Sequence, residues 1–485
     1  MQVLTGLLAA AALAGAPTAG DSAASQPRLR LAPCSIAGVE GPLECGTLTV
    51  AENRATGRGR MLPLKVVVAR AKSPQPREPI FILSGGPGQA ATDAVGGFTG
   101  GPQQQEHDIV FMDLRGTGEG HRLACRTATD ENLQGYLEPL FNERELIRAC
   151  RAELEKSADL TQYTTPISMQ DLDDLRRALG YGKINLLGGS YGSRTGIVYM
   201  RMYPQHVHAA VLMSLAPLSS RAPLHFAKAA QGAFEALVED CRAEPACKAA
   251  YPDPHGDIAA ILAALKREPA RVQVRHPATG APAEVTLTPS AFGDGLRVML
   301  YSSETGRQVP LLLQRARAGD YRPFAEAALA ANRGARNSLA LGLTLSSSCP
   351  EDTARIRPEE VETATAGSFI GDYRVRAQMA ACELWPKGKM PADYFREFPT
   401  TVPTLLVSGR LDPVTPPERG EDARRLLPNS LHIVTPGSHS EAGDCVGAIG
   451  LELFRTGSVK GLDTSCVGKL KMPPFVLPGQ APPPA

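Results

Sequence analysis

Apolar residues fall along the first half of the chain in short runs, each closed by turn formers. Glu44–Val50 and Leu62–Ala69 are β-rich runs separated by a turn-rich, basic stretch, which predicts an N-terminal hairpin. Pro79–Leu83 (PIFIL) and His107–Leu114 (HDIVFMDL) have the pattern of strands buried on both faces, and they open into glycine loops, SGGPG and RGTGEG. Ile184–Leu187 and His208–Leu215 continue the series. In between, the period becomes helical over Glu143–Glu155 and Ser168–Leu179, the second with a capping-box-like Ser168/Asp171 start and Gly180 as its stop. Strands alternating with helices, with glycine loops at the strand ends, predict an α/β fold with a mainly parallel sheet and a site at those ends.

From residue 216 to 400 the alternation breaks down. Ala- and Arg-rich helical stretches (Phe226–Ala243, Ile258–Arg267, Gly319–Arg333) are joined by Pro-rich segments, which predicts an inserted, largely helical cap. The alternation resumes with a strand at Val402–Ser408, a helix at Glu418–Leu427 and a last strand at Leu431–Val434. The expected organisation is a core over 28–215, the cap over 216–400, the rest of the core over 401–472, and a mobile Pro-rich tail over 473–485.

Charge removes two classes of partner. Lys and Arg number 51 against 50 Asp and Glu, a net +1, so there is no electrostatic footprint for nucleic acid or an anionic membrane surface. Residues 3–16 (VLTGLLAAAALAGA) have the length of a secretory apolar core, too short to span a bilayer, with Ala14 and Ala16 as a small-residue cleavage site. Met1 and Gln2 supply no positive charge ahead of it. A leader over 1–27 and a periplasmic or secreted chain with no integral membrane association are expected. Ten cysteines fit that compartment, in couples close along the chain: Cys34 with Cys45, Cys125 with Cys150, Cys241 with Cys247, Cys349 with Cys382, Cys445 with Cys466. The even count suggests disulfides, and spacing leaves their connectivity open. No Cys/His ligand spacing calls for a metal, and no cofactor is expected.

The candidate chemistry centres on Ser190. Ile184–Leu187 runs into Gly188-Gly189-Ser190-Tyr191-Gly192, a G-x-S-x-G sequence followed by helix-compatible residues up to Pro204. A serine at the tip of a sharp strand-to-helix turn needs neighbours without a Cβ. Its hydroxyl also needs a base, and the base needs an orienting carboxylate. Of nine histidines, only His432 and His439 follow the resumed strand pattern; His432 lies within an apolar run, whereas His439 lies in the small-residue loop TPGSHSEAG. His439 is the expected base. Asp412, in LLVSGRLDPVT just past a strand, is the expected acid; its competitor Asp422 falls inside a predicted helix. The order Ser190, Asp412, His439 is that of an α/β-hydrolase triad. Oxyanion donors are expected at the backbone N–H of Tyr191 and, because Pro87 has none to give, of Gly86 in SGGPG.

SGGPG (Ser84–Gly88), DLRGTG (Asp113–Gly118), GGSYGS (Gly188–Ser193), LDPVTPP (Leu411–Pro417) and GSH (Gly437–His439) together resemble the prolyl and tripeptidyl aminopeptidase family of α/β-hydrolases. CGTLTVAENR and the segment from Val402 resemble its exported branch. The resemblance implies an α/β-hydrolase core with a helical cap, and hydrolysis of short peptides from a free N-terminus through an acyl-enzyme on Ser190. It also implies cap carboxylates that hold the substrate amine, matched here by Glu351 and Asp352 in SCPED. Departures from the family pattern are Leu114, Arg410 and Ser440, where Gln, Glu and Gly are usual, and the lack of an Asp-Gly pair near Met213 and Ser214; Arg410 and Ser440 are expected close to the triad. An ester substrate in the same site, or a silent binding protein on the scaffold, are the alternatives. Oligomeric state is left open.

Overall fold

A computed structural model describes residues 29–125, 127–396 and 398–480. The expected leader, residues 1–27, lies outside the described residues.

Nine strands form one twisted sheet: β1 (Leu31–Cys34), β2 (Leu43–Ala51), β3 (Met61–Ala69), β4 (Arg77–Leu83), β5 (His107–Met112), β6 (Ile184–Gly189), β7 (Val207–Met213), β10 (Thr404–Gly409) and β11 (Ser430–Thr435). Two more, β8 (Ala270–Arg275) and β9 (Pro282–Leu287), make a separate antiparallel hairpin. The sheet order is β1-β2-β3-β5-β4-β6-β7-β10-β11. β1, β2 and β3 pair antiparallel, and β3 joins β5 antiparallel; every pair from β5 across to β11 is parallel. The apolar runs explain the division. All six residues of β5 and of β10 are buried, as central parallel strands require, whereas β2 alternates buried and exposed positions at the antiparallel edge.

Parallel pairing has one consequence that matters for function. The chain leaves β4, β6, β7, β10 and β11 on the same side of the sheet, so the segments after Leu83, Gly189, Met213, Gly409 and Thr435 all emerge together. After β4 the chain adds β5 on one flank and later β6 on the other. SGGPG and the Ser190 turn therefore share the crevice where strand order reverses.

Local predictions at one helix needed tertiary correction. The helix expected from Ser168 begins at Thr165, with Thr164 extended and Pro166 in the first turn. Asp171 does not cap it: its carboxylate takes Arg115 bidentately at 2.6 and 2.9 Å and Arg54 at 2.6 Å. A buried guanidinium demanded that carboxylate more strongly than a helix end did.

The insertion proves to be two packing units. Phe226–Ala243, Pro254–Arg267, Pro289–Met299, Val309–Arg317 and Arg322–Ser338 enclose their own apolar core, with Phe292 stacked on Phe324 at 4.5 Å. The β8–β9 hairpin, absent from the sequence expectation of a largely helical cap, packs onto that core, as do Leu133, Tyr136 and Leu137 from before the insertion. Helices Leu341–Glu351 and Tyr373–Leu384 instead bury Leu343, Leu345 and Cys382 against the core beside the sheet. The C-terminal stretch, expected to be mobile, is packed as far as it is described: Phe475 and Val476 are buried, Tyr251 donates to the Val476 carbonyl at 2.6 Å, and Arg307 lies 4.2 Å over the Phe475 ring.

All ten cysteines are paired, each with the neighbour in its couple: Cys34–Cys45, Cys125–Cys150, Cys241–Cys247, Cys349–Cys382 and Cys445–Cys466. Cys349–Cys382 closes 33 residues and ties together the two helices nearest the sheet. On loop-closure entropy, replacing both with serine is expected to cost about 3–4 kcal/mol, against about 2 kcal/mol for the six-residue Cys241–Cys247 loop. Urea unfolding midpoints of the two double variants should fall in that order.

Candidate active site

Ser190 is held in a conformation that only a specialised turn produces. Its φ of 56° and ψ of −123° lie outside the regions ordinarily open to a residue with a side chain. The strain is contained by neighbours: the Ser190 N–H donates to the Met213 carbonyl at 3.0 Å, and its carbonyl accepts from Ser193 N–H at 2.9 Å and Ser193 Oγ at 2.6 Å. The flanking glycines are dictated by contact. A Cβ on Gly188 would stand 2.6 Å from the Gly192 carbonyl oxygen, and one on Gly192 would stand 2.1 Å from that of Leu83. The helix Tyr191–Met202 starts at once, which leaves the Tyr191 N–H at its positive end.

Asp412 and His439 are brought together from separate strand ends. Asp412 Oδ2 lies 2.8 Å from His439 Nδ1. The same oxygen accepts from Ser214 Oγ at 2.7 Å and Thr415 Oγ1 at 2.9 Å, while Oδ1 accepts from the N–H groups of Val414 (2.9 Å) and Thr415 (2.8 Å). Burial pushes the carboxyl pKa up, but His439, Thr415 and Ser214 outweigh it and hold Asp412 at about 2. An ionised carboxylate only accepts, so Nδ1 carries the imidazole proton and Nε2 is left free to act as a base.

The loop bearing His439 is fixed on both sides. Towards the sheet, Ser440 N–H donates to Ser214 Oγ at 2.7 Å. Towards the cap, His439 N–H reaches the Tyr301 carbonyl at 3.3 Å, and the Tyr301 ring meets the imidazole edge-on at 4.9 Å. Glu441 bridges the two by accepting from Ser438 N–H at 2.7 Å and Ser303 N–H at 2.8 Å. Ser214 entered the sequence reading only as a departure from the family pattern, with no role given to it; Tyr301 lies in the insertion and was not singled out. The competing residues are engaged elsewhere: His432 lies between Glu421 (2.6 Å) and Ser408 Oγ (2.9 Å), and Asp422 pairs with Arg419 at 2.9 Å.

Sheet and cap enclose a cavity of about 750 Å³ lined by Ser190, Tyr191, Gly86, His439 and Ser440 among others. Asp352 also lines it, held bidentately by Arg194 at 2.6 and 2.9 Å. Glu351, expected at the substrate amine, stands behind the wall. Its carboxylate accepts from Thr165 N–H (2.7 Å), Thr165 Oγ1 (2.8 Å) and Tyr394 OH (2.8 Å), and Thr165 Oγ1 is 2.6 Å from the Tyr191 hydroxyl. Burial pushes the Glu351 carboxyl up, opposed by nearby Arg194 and these hydrogen bonds. Glu351 thus braces Tyr191 through Thr165. Arg410 turns away to pair with Asp240 of the cap. Among the described residues, no group of three or more His, Cys, Asp or Glu is placed to hold a metal ion.

Residues 78–250 match the model of the α/β-hydrolase fold, and residues 367–466 match that of the TAP-like proteins. The serine protease Hip1 of Mycobacterium tuberculosis is 25% identical over 391 residues, 73% of either chain. Two further relatives match shorter stretches. The tripeptidyl aminopeptidase of Streptomyces lividans is 28% identical over 190 residues, 36% of this chain and 35% of its own. The proline iminopeptidase of Neisseria gonorrhoeae is 28% identical over 137 residues, 28% and 32% of the two chains. The chain is an α/β-hydrolase by fold, and its C-terminal part is TAP-like. The three relatives carry the names of peptidases.

Two outcomes test how Asp412 is held. Ser214→Ala removes the Asp412 donor and the Ser440 acceptor together, and turnover is expected to fall roughly 10- to 100-fold, read in steady-state kinetics with thermal unfolding as the control. Asp412 holds its proton less tightly folded than unfolded, so its contribution to stability is complete above about pH 4 and is lost as pH falls towards 2. Chemical unfolding between those values should show a shallower loss of stability for Asp412→Asn than for the parent.

Proposed function

We propose that the chain is an exported serine peptidase that releases a residue or short peptide from a free N-terminus through an acyl-enzyme on Ser190. The observation that carries this reading is the Asp412–His439 pair, joined at 2.8 Å, with His439 on the wall of the cavity that Ser190 also lines. In this mechanism His439 Nε2 takes the Ser190 proton as Oγ attacks the substrate carbonyl. The oxyanion draws on the N–H groups of Tyr191 and Gly86, the first at a helix N-terminus. His439 then returns the proton to the leaving amine, and water releases the acyl group by the same path in reverse. Glu351 acts as a positioning residue for Tyr191, and Asp352, which lines the cavity, would take a substrate amine while still held by Arg194.

Export is supported by five disulfides, bonds that persist in oxidising compartments, and by the apolar segment at residues 3–16. No helix among the described residues is long and apolar enough to cross a membrane. The names of the relatives, tripeptidyl aminopeptidase and proline iminopeptidase, support cleavage at the N-terminal end of short peptides.

One observation favours a second reading, an esterase of the same chemistry. The carboxylates lining the cavity, Asp294 and Asp352, are each already paired with an arginine, so a substrate ammonium would meet no unpaired acid there. Comparing a free-amine peptide amide with its N-acetylated form separates the two. The aminopeptidase reading expects acetylation to lower kcat/KM at least 10-fold; equal rates would end it. Ser190→Ala is expected to abolish labelling by a fluorophosphonate probe, and Asp412→Asn to lower kcat about 10⁴-fold. Labelling that survives Ser190→Ala would remove the nucleophile.

A further inference from the structure

The cap side of the cavity carries an excess of buried positive charge that nothing in the proposed acyl transfer uses. Arg297, Arg336 and Arg374 come from three different helices, Pro289–Met299, Arg322–Ser338 and Tyr373–Leu384, and all three line the cavity. One carboxylate there, Asp294, answers them. It is committed to Arg297, whose Nη2 lies 2.9 Å from Oδ1 and whose Nη1 donates to the Tyr301 hydroxyl at 2.8 Å. Among the described residues, Arg336 is bonded only to main-chain carbonyls, those of Gly135 (2.7 Å) and Glu138. The Glu138 side chain, at the edge of the cluster, is bonded to Gln134 at 2.8 Å.

Arg374 is the anomaly. It is 7% exposed, its guanidinium lies over the Phe141 ring at 5.2 Å, and it makes no hydrogen bond or ion pair to any described residue. Its Nε and Nη1 are shut off from solvent without a partner. The Nδ2 of Asn332, a cavity-lining residue 2% exposed, is equally unpartnered. Buried donors without partners are costly, and a buried guanidinium without a counter-charge more so. Burial lowers the Arg374 pKa to about 10, which leaves it charged at neutral pH. Its Nη2, also without a hydrogen bond to a described residue, is the one nitrogen of the guanidinium not shut off, so a carboxylate in the cavity meets that charged donor first and gains a second bond when a side-chain shift turns Nη1 towards it.

We propose that Arg374, with Arg336 and Asn332, forms a subsite for a carboxylate of the substrate bound at Ser190. This deepens the peptidase reading and rests on it for the identity of the substrate. The carboxylate can be the C-terminus of a short peptide or an acidic side chain within it. The subsite completes the charge of the cap only when substrate is present, which couples cavity occupancy to substrate sign.

The test is a panel of free-amine tripeptides: one with a free C-terminus, the same peptide as C-terminal amide, and Glu-for-Gln pairs of the amide. Removing the recognised carboxylate is expected to lower kcat/KM at least 10-fold, and the arm that drops identifies its source. Arg374→Met should abolish that preference. Arg374→Lys, which keeps charge and loses the fork, should fall between them, and serves if the Met variant does not fold. Independently of any turnover, glutarate should raise the Tm of the parent and leave that of Arg374→Met unchanged. Equal kcat/KM across the panel with no glutarate shift overturns the subsite and leaves the peptidase standing. A glutarate shift dependent on Arg374, with no peptide hydrolysed, overturns the peptidase and leaves the subsite.

Discussion

A carboxylate cut off from water must be answered by donors, and at Asp412 five converge: the N–H groups of Val414 and Thr415, the hydroxyls of Thr415 and Ser214, and His439 Nδ1. These donors come from the segments after β7, β10 and β11. Satisfying one buried charge therefore sets three strand ends relative to one another. The direction of the His439 ring, and so of its free nitrogen, follows from that. The Ser190 turn joins the same arrangement through its N–H bond to Met213, the residue just before Ser214.

The cap is a second answer to burial, with a different balance. Its apolar core is independent of the sheet, but its inner face carries more guanidinium than carboxylate. Where acid and base match, as at Arg194–Asp352 and Arg297–Asp294, the contacts hold structure together. Where they do not, at Arg374, the protein keeps a charge that its own fold leaves unanswered. Buried ions of that kind are concentrated at sites that meet a ligand.

Much of the sheet was legible because a buried parallel strand leaves a dense apolar run. Pro79–Leu83 and His107–Leu114 were read nearly to the residue against β4 and β5. The Ser190 turn was legible for a steric reason, since glycines at 188 and 192 are required wherever backbone passes that close. The placement of Asp412 and His439 past successive strands was visible in the order of the chain. What escaped were features made between elements. The helix starts at Thr165 rather than Ser168, with Pro166 in its first turn, and Asp171, well inside it, pairs with Arg115 from another part of the chain. The burial of Phe475 follows from packing against the cap, for which the local sequence carries no marker, whereas the β8–β9 hairpin does leave a period-2 alternation (Val272, Val274, Val285, Leu287) that a helical reading of the insertion overlooks.

The sequence by itself determined the strand-bearing frame, the turn at Ser190 and the identities of the residues past the strand ends, because these depend on local conformation and on the periodicity of burial. Only the tertiary structure decided that Glu351 stands behind the cavity wall while Asp352 lines it, although the two are adjacent in the chain. Asp352 lies just past the end of the helix Leu341–Glu351, where the backbone is no longer helical, so which of the two side chains faces the cavity depends on how that helix end is packed. The arginine surplus was likewise invisible in a chain of net charge +1. Charge is a sum over the sequence, whereas an electrostatic field depends on where each charge is placed.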